Sequence, residues 1–148
     1  MEVRRSAELE QLAEEARQAF MRHDDAWMAA HTADGQVVSF GTDPGEIWRG
    51  RAEVLGLTTA QVDEMNAQVG LTYEQDSIEG YEAGDAGFVI SHGSFVLADG
   101  TTFRTRGMNF MVKDGDTWKT VAGGMALLVS NELMTEGSPL GQTPATTG

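Results

Sequence analysis

The stretch Thr101–Val129, TTFRTRGMNFMVKDGDTWKTVAGGMALLV, carries the pattern that decides the fold. Two runs rich in Thr, Phe, Val and Trp meet at Asp114-Gly115, and Asp-Gly between strand-like runs is a strong β-hairpin signal. The pattern continues toward the N-terminus, where similar runs are divided at Asp99-Gly100 and Gly84-Asp85. We therefore predict an antiparallel meander of four consecutive strands, over residues 71–81, 86–98, 101–113 and 117–129.

The first half of the chain has helical spacing instead. Apolar residues between Ala7 and Phe20 recur at three- and four-residue intervals, and Ser6 can cap the helix that this spacing predicts. An apolar cluster at 26–30 predicts a short second helix, and one apolar face from Val54 to Val69 predicts a third. Residues 36–40 predict a brief strand that ends in a turn at 41–45. Helices followed by a meander indicate an α+β domain, with N-terminal helices packed on a curved antiparallel sheet.

Length and composition set limits on the class of protein. The 148 residues suit a single domain, which we place at 1–134, and the Gly-, Pro- and Thr-rich segment 135–148 is predicted to be a flexible tail. The net charge of -13 disfavours nucleic acid and membrane surfaces as partners. Cysteine is absent and the longest apolar run is Met125–Val129, so we expect a cytoplasmic protein.

Residues 41–50, GTDPGEIWRG, carry a resemblance to a known family. This segment resembles the end of the first strand in SnoaL-like sequences of the NTF2-like superfamily, and the later Asp-Gly breaks are similar to that family's strand boundaries. The resemblance covers roughly Leu9 to Ser130. It implies a cone-shaped half-barrel that is commonly a homodimer. It implies no single activity, because this scaffold carries isomerases, dehydratases, cyclases, epoxide hydrolases, transport factors and noncatalytic modules.

Large apolar side chains are expected to line the interior of such a cone. We predict that they form a cavity for a small apolar molecule, with Asn109 available to orient a carbonyl or hydroxyl group. Strand alternation places Asn109 opposite Met108 and Phe110, so these three side chains cannot all face one cavity. An interior filled completely by its own side chains is the open alternative. The predicted lining residues are Trp27, Phe40, Trp48, Phe110, Met125 and Asn109.

A catalytic alternative centres on His92, the histidine within a predicted strand. His92 is a candidate general acid or base of an isomerase or lyase, with help from Asp43 or Asn109. Each has a structural interpretation as well, since a lone core His is often just hydrogen-bonded and an Asp before Pro-Gly is often a turn residue. The ketosteroid-isomerase constellation is missing, because Phe40 occupies the position of the carboxylate base and Ala16 that of the helical Tyr.

Metal and cofactor chemistry has little support in the sequence. The histidines at 23, 31 and 92 have no close-spaced partner of the kind that forms a helical metal clamp, and no phosphate-binding loop is present. We predict neither a metal nor another cofactor. A third interpretation is a noncatalytic dimerisation or interaction module, whose open sheet face serves as the dimer surface.

Overall fold

The computed structural model describes residues 1–67 and 70–132, with the side chains of 58, 59, 62, 65 and 66 excepted. The predicted tail at 135–148 lies outside these residues, as does Val69. Among them, no helix has the length and the apolar character needed to cross a bilayer. The elements are, in chain order, β1 (Arg4–Arg5), α1 (Ala7–Met21), α2 (Asp25–Ala30), β2 (Val38–Phe40), β3 (Ile47–Arg49), α3 (Arg51–Ala67), β4 (Thr72–Ala83), β5 (Ala86–Val96), β6 (Thr102–Asp114) and β7 (Thr117–Leu127).

The strands form one sheet in the order β1-β4-β5-β6-β7-β2-β3. Strands β4 to β7 are the predicted antiparallel meander, and the α+β fold class is confirmed. The pairing of β2 with β7 is parallel. Strands β1 and β3 were not predicted from the sequence. They have two and three residues, too few to show an alternating pattern.

Helix α1 begins as its sequence predicts. The Ser6 side chain accepts a hydrogen bond from the backbone N–H of Leu9 at 3.2 Å, which satisfies one of the free donors of the first turn. Leu9 is fully buried in the core, which also contains Val89, Met111 and Trp118. Gly87 lets the helix approach this closely, since a Cβ there would clash with the Leu9 side chain and a backbone oxygen.

Two irregularities bend the sheet around the helices. The register of β4 against β5 shifts between Gln75 and Ser77, and that of β6 against β7 shifts between Phe110 and Met111. Extra residues of this kind increase local twist and bend the bulged strand. The result is a sheet with a concave face toward the helices and a convex face away from them.

Alternation along each strand assigns residues to the two faces. Val89, Asn109 and Gly123 are register partners across β5, β6 and β7 and form one row of the concave face. The next residue on each strand belongs to the convex face, in the row Ile90, Met108 and Gly124.

Candidate functional site

A cavity of about 850 Å³ lies between the three helices and the concave face, and it is partly open to solvent. Its lining is mainly apolar and comes from every layer of the fold. Helices contribute one wall and the sheet the other, which is the arrangement expected when amphipathic helices pack on a sheet that curves away from them. Representative apolar lining residues are Ala16, Phe20, Trp27, Trp48, Met111 and Met125.

Three buried glycines form a diagonal across the concave face, which is the floor of the cavity; they lie one on each of β5, β6 and β7, and those of β6 and β7 line the cavity. The place where a Cβ would stand at each glycine is occupied by the polar end of a side chain from the same face. The Ser91 hydroxyl, for example, would lie 2.8 Å from a Cβ at position 107. The floor is therefore shallow and edged with hydrogen-bonding groups. The pairs are Gly93 with the Tyr73 hydroxyl, Gly107 with Ser91, and Gly123 with the Asn109 amide oxygen.

Asn109 is a polar residue of the cavity whose side chain is free to bind a ligand. Its side chain is accessible to solvent, and its amide makes no hydrogen bond with any described residue. Its Oδ1 atom lies over Gly123, so the amide rests on the β7 backbone. An amide offers both a donor and an acceptor, which suits a carbonyl or a hydroxyl group.

His31 also lines the cavity, at the C-terminal end of α2. Its Nδ1 lies 2.8 Å from the backbone carbonyl oxygen of Trp27. Its ring stacks on the Trp27 indole, with ring centroids 3.8 Å apart and planes inclined by 16°. Sequence reasoning considered His31 as a metal ligand alone. The signal it missed is the four-residue spacing of Trp27 and His31, which puts both on one side of a helix.

The charged groups around the cavity are mostly acidic. Among the described lining residues, Arg17 is the only one with a basic Lys or Arg side chain. Its Nη2 pairs with Glu14 Oε1 at 2.6 Å. This pairing lowers the pKa of the Glu14 carboxyl, chiefly through the hydrogen bond. Asp43, Glu46 and Glu64 line the cavity without a basic partner in the described part of the chain.

A family model matches most of the chain. The model of the SnoaL-like domain matches residues 9–126. The chain belongs to the SnoaL-like family. This confirms the resemblance seen in the sequence. No curated protein sequence matches the chain.

Solved structures similar to this SnoaL-like domain share its fold at low sequence identity. An NTF2-like protein of unknown function from Pseudomonas putida KT2440 is 14% identical, with a TM-score of 0.65, over 86% of this chain and 92% of that chain. A cystatin-like fold protein from Caulobacter vibrioides is 16% identical, with a TM-score of 0.67, over 86% and 92%. A provisionally named ketosteroid isomerase from Shewanella frigidimarina is 17% identical, with a TM-score of 0.63, over 78% and 91%. These likenesses show the fold alone.

The SnoaL-like domain places most of the predicted lining residues at the cavity: Trp27, Phe40, Trp48, Met125 and Asn109. Phe110 is not among the lining residues. It is 47% exposed on the convex face, where its ring lies 6.3 Å from that of Phe88. Alternation explains this, because Phe110 follows Asn109 on β6. Phe40 belongs to strand β2 at the edge of the cavity, and its ring covers Gly124.

The two predicted catalytic residues lie far apart in the sheet. His92 is on the convex face, with its Nε2 3.2 Å from Glu79 Oε2, and this contact is the main cause that lowers the pKa of Glu79. Asp43 lies in the turn after β2, beyond the intervening strands β6 and β7. Its Oδ1 accepts a hydrogen bond from the Gly45 N–H at 2.9 Å, as expected for a turn residue. The structure does not bring these two side chains together.

No metal centre can be assembled from the residues that the structure describes. Among them, no three His, Cys, Asp or Glu side chains converge closely enough to hold an ion.

Proposed function

We propose that this SnoaL-like domain binds a small, mainly apolar molecule in the cavity of its concave face. The volume of about 850 Å³ lies within the range of about 300–1,000 Å³ found for ligand sites. The observation that carries the proposal is the Asn109 amide, which is accessible and unpaired in a mainly apolar cavity. A ligand that removes water from this amide has to replace its hydrogen bonds, so Asn109 favours a ligand with a polar oxygen.

The charges around the cavity favour a neutral ligand. The chain carries a net charge of -13, and the cavity is lined by Asp43, Glu46 and Glu64. Arg17 is neutralised by Glu14, so it offers an anion little attraction. An acidic ligand would meet repulsion both on approach and inside the cavity.

Nile red, a neutral apolar dye whose fluorescence rises in apolar surroundings, tests the proposal. We expect saturable binding by the wild-type protein and a loss of binding on Ala16→Phe, which puts a ring into the cavity. Ala52→Phe adds the same ring at an exposed position of α3 and should leave binding unchanged. Equal dye binding by all three proteins would show that the dye binds outside the cavity and would contradict the proposal.

The isomerase or lyase alternative has weaker support from the geometry. Its acid or base, His92, lies on the face opposite the cavity, and Asp43 is held by its turn. A general base must come within hydrogen-bond reach of the proton that it removes. A substrate in the cavity would be separated from His92 by the sheet itself.

We propose further that two copies of the chain associate through their convex faces, which makes the protein a homodimer. Exposed apolar residues on this face, including Phe110 and Val112, would be covered by a second copy. The face also carries acidic residues on β4, such as Glu79, and basic residues on β6, such as Arg106. A two-fold axis can bring the acidic strand of one copy against the basic strand of the other, so the surface is self-complementary.

A further inference from the structure

We infer that His31 is a fixed hydrogen-bond acceptor in the cavity and that it selects a ligand carrying a hydroxyl group, such as a phenol or an enol. This inference rests on the proposed binding function and deepens it, because it names the chemical class of the ligand.

The hydrogen bond of His31 determines which ring nitrogen carries the proton. Nδ1 lies 2.8 Å from the Trp27 carbonyl oxygen, and a carbonyl oxygen can only accept. Nδ1 must therefore donate. In the neutral ring, Nε2 then holds a lone pair and acts as an acceptor. No described residue donates a hydrogen bond to Nε2, so this lone pair is available to a molecule in the cavity.

The position of the imidazole is fixed from several directions. The ring stacks on Trp27 at 3.8 Å, and the His31 backbone N–H also donates to the Trp27 carbonyl. The His31 carbonyl accepts a hydrogen bond from the Thr120 N–H on β7 at 2.8 Å, which ties the end of α2 to the sheet. A side chain held in this way loses little conformational entropy when it binds a ligand.

His31 and Asn109 complement one another chemically. The neutral imidazole offers an acceptor alone, whereas the Asn109 amide can donate as well. Carbonyl and ether oxygens have no proton to give, so they can satisfy Asn109 but not His31. A hydroxyl group can donate to His31, and the stacked rings of Trp27 and His31 provide an apolar surface for the body of an aromatic ligand.

Two probes of nearly the same shape separate these chemistries: 2-naphthol, which has a hydroxyl donor, and 2-methoxynaphthalene, which has none. We expect the wild-type protein to prefer 2-naphthol, and His31→Asn to reduce that preference about fivefold, the worth of one ordinary hydrogen bond. The Asn side chain can still donate to the Trp27 carbonyl. The substitution therefore removes the Nε2 acceptor and keeps the hydrogen bond that holds the side chain in place. Because both proteins are tested with both probes, the difference in hydrophobicity between the probes cancels.

His92→Asn is the matched control, because His92 lies on the convex face and should not affect the preference. An unchanged preference in His31→Asn would overturn the inference, as would Nile red binding without any 2-naphthol binding. The proposed function would survive both results. If the wild-type protein binds neither Nile red nor either of the two naphthalenes, the proposed function is wrong.

A second measurement needs no substitution at all. In ¹⁵N–¹H correlation spectra of the wild-type protein in slightly alkaline buffer, the His31 ring should show the tautomer with its proton on Nδ1. Addition of 2-naphthol should shift the Nε2 resonance, and 2-methoxynaphthalene should not. A proton on Nε2 in the free protein would overturn the inference even if the His31→Asn variant fails to fold.

Discussion

The two faces of the sheet are built from the same strands but differ in nearly every property. On the concave face, glycines leave room for the polar ends of Ser91 and Asn109, and the helices enclose an open space. On the convex face, large apolar side chains such as Phe110 are exposed, and His92 pairs with Glu79. Neighbouring residues on one strand therefore belong to different sites. The role of a residue here depends on whether its position along the strand is odd or even, and so on its face of the sheet, more than on its chemical type.

The largest contrast should appear in stability, between neighbours on β6. Met111 is 7% exposed in the core beneath α1, whereas Val112 is 42% exposed on the convex face. We expect Met111→Ala to lower the free energy of unfolding by about 3 kcal/mol, through lost transfer energy and a residual void. Val112→Ala should cost less than about 1 kcal/mol. Urea denaturation at low protein concentration measures both, and similar losses would contradict the assignment of faces.

Association should depend on the convex face. Phe110→Asp puts a charge at the centre of the proposed dimer surface, and we expect the dimer dissociation constant to rise roughly 30-fold, or about 2 kcal/mol. Phe103→Asp makes the same change at an equally exposed residue that lines the cavity, and it should leave association unchanged. Light scattering over a range of concentrations gives the constants. A wild-type protein that remains monomeric at micromolar concentration would refute the homodimer.

The adjacent glycines of β7 test the two faces at one point of the chain. A Cβ at position 123 would displace the Asn109 amide into the cavity, whereas a Cβ at 124 would displace the half-exposed Phe40 ring. We expect Gly123→Ala to weaken Nile red binding about fivefold, or about 1 kcal/mol, and Gly124→Ala, which moves a ring at the edge of the cavity, to weaken it less. The opposite order of effects would mean that Asn109 does not face the ligand.

The smallest effect concerns the acid stability of the first residues of the chain. Glu82 accepts a hydrogen bond from the Ser6 hydroxyl at 2.8 Å, and this bond, followed by the contact with Arg4, lowers the pKa of Glu82. Because the pKa of Glu82 is lower in the folded protein than in the unfolded chain, its carboxylate stabilises the fold at pH values above the unfolded pKa of about 4.3. That stability is lost as the pH falls through the pKa of the folded protein.

Glu82→Gln should therefore lower the melting temperature slightly at neutral pH, and the difference from wild type should shrink below about pH 4. Glu74→Gln, on the convex side of the same strand, is the control, because no described residue pairs with Glu74. Scanning calorimetry across this pH range measures the two differences. A difference that grows as the pH falls would show that the sign of the Glu82 contribution is wrong.

Much of the fold could be predicted because its signals are local. The Ser6 cap and the Asp-Gly turns fix the ends of α1 and of the long strands, and the observed bounds differ from the predicted ones by at most two residues. The long-range parallel pairing of β2 with β7 has no local signal. Strand β1 is formed by two arginines, whose pairing with β4 depends on the finished sheet rather than on their own sequence.

The candidate site was predicted in part. The sequence identifies Asn109 as opposite in direction to Phe110, but it does not tell which of them faces the helices, since either assignment keeps the alternation. Gly123 and Gly124 are each packed against a side chain, a contact that the sequence does not specify. The contribution of His31 depends on a hydrogen bond to a backbone oxygen, and such a bond is visible only once the helix is placed.

Both margins of the sheet are short, with two residues in β1 and three in β3. An incoming strand would find few free backbone groups there. Growth by strand addition, the route to fibrils, is thereby discouraged. The sheet margins should consequently resist open-ended polymerisation.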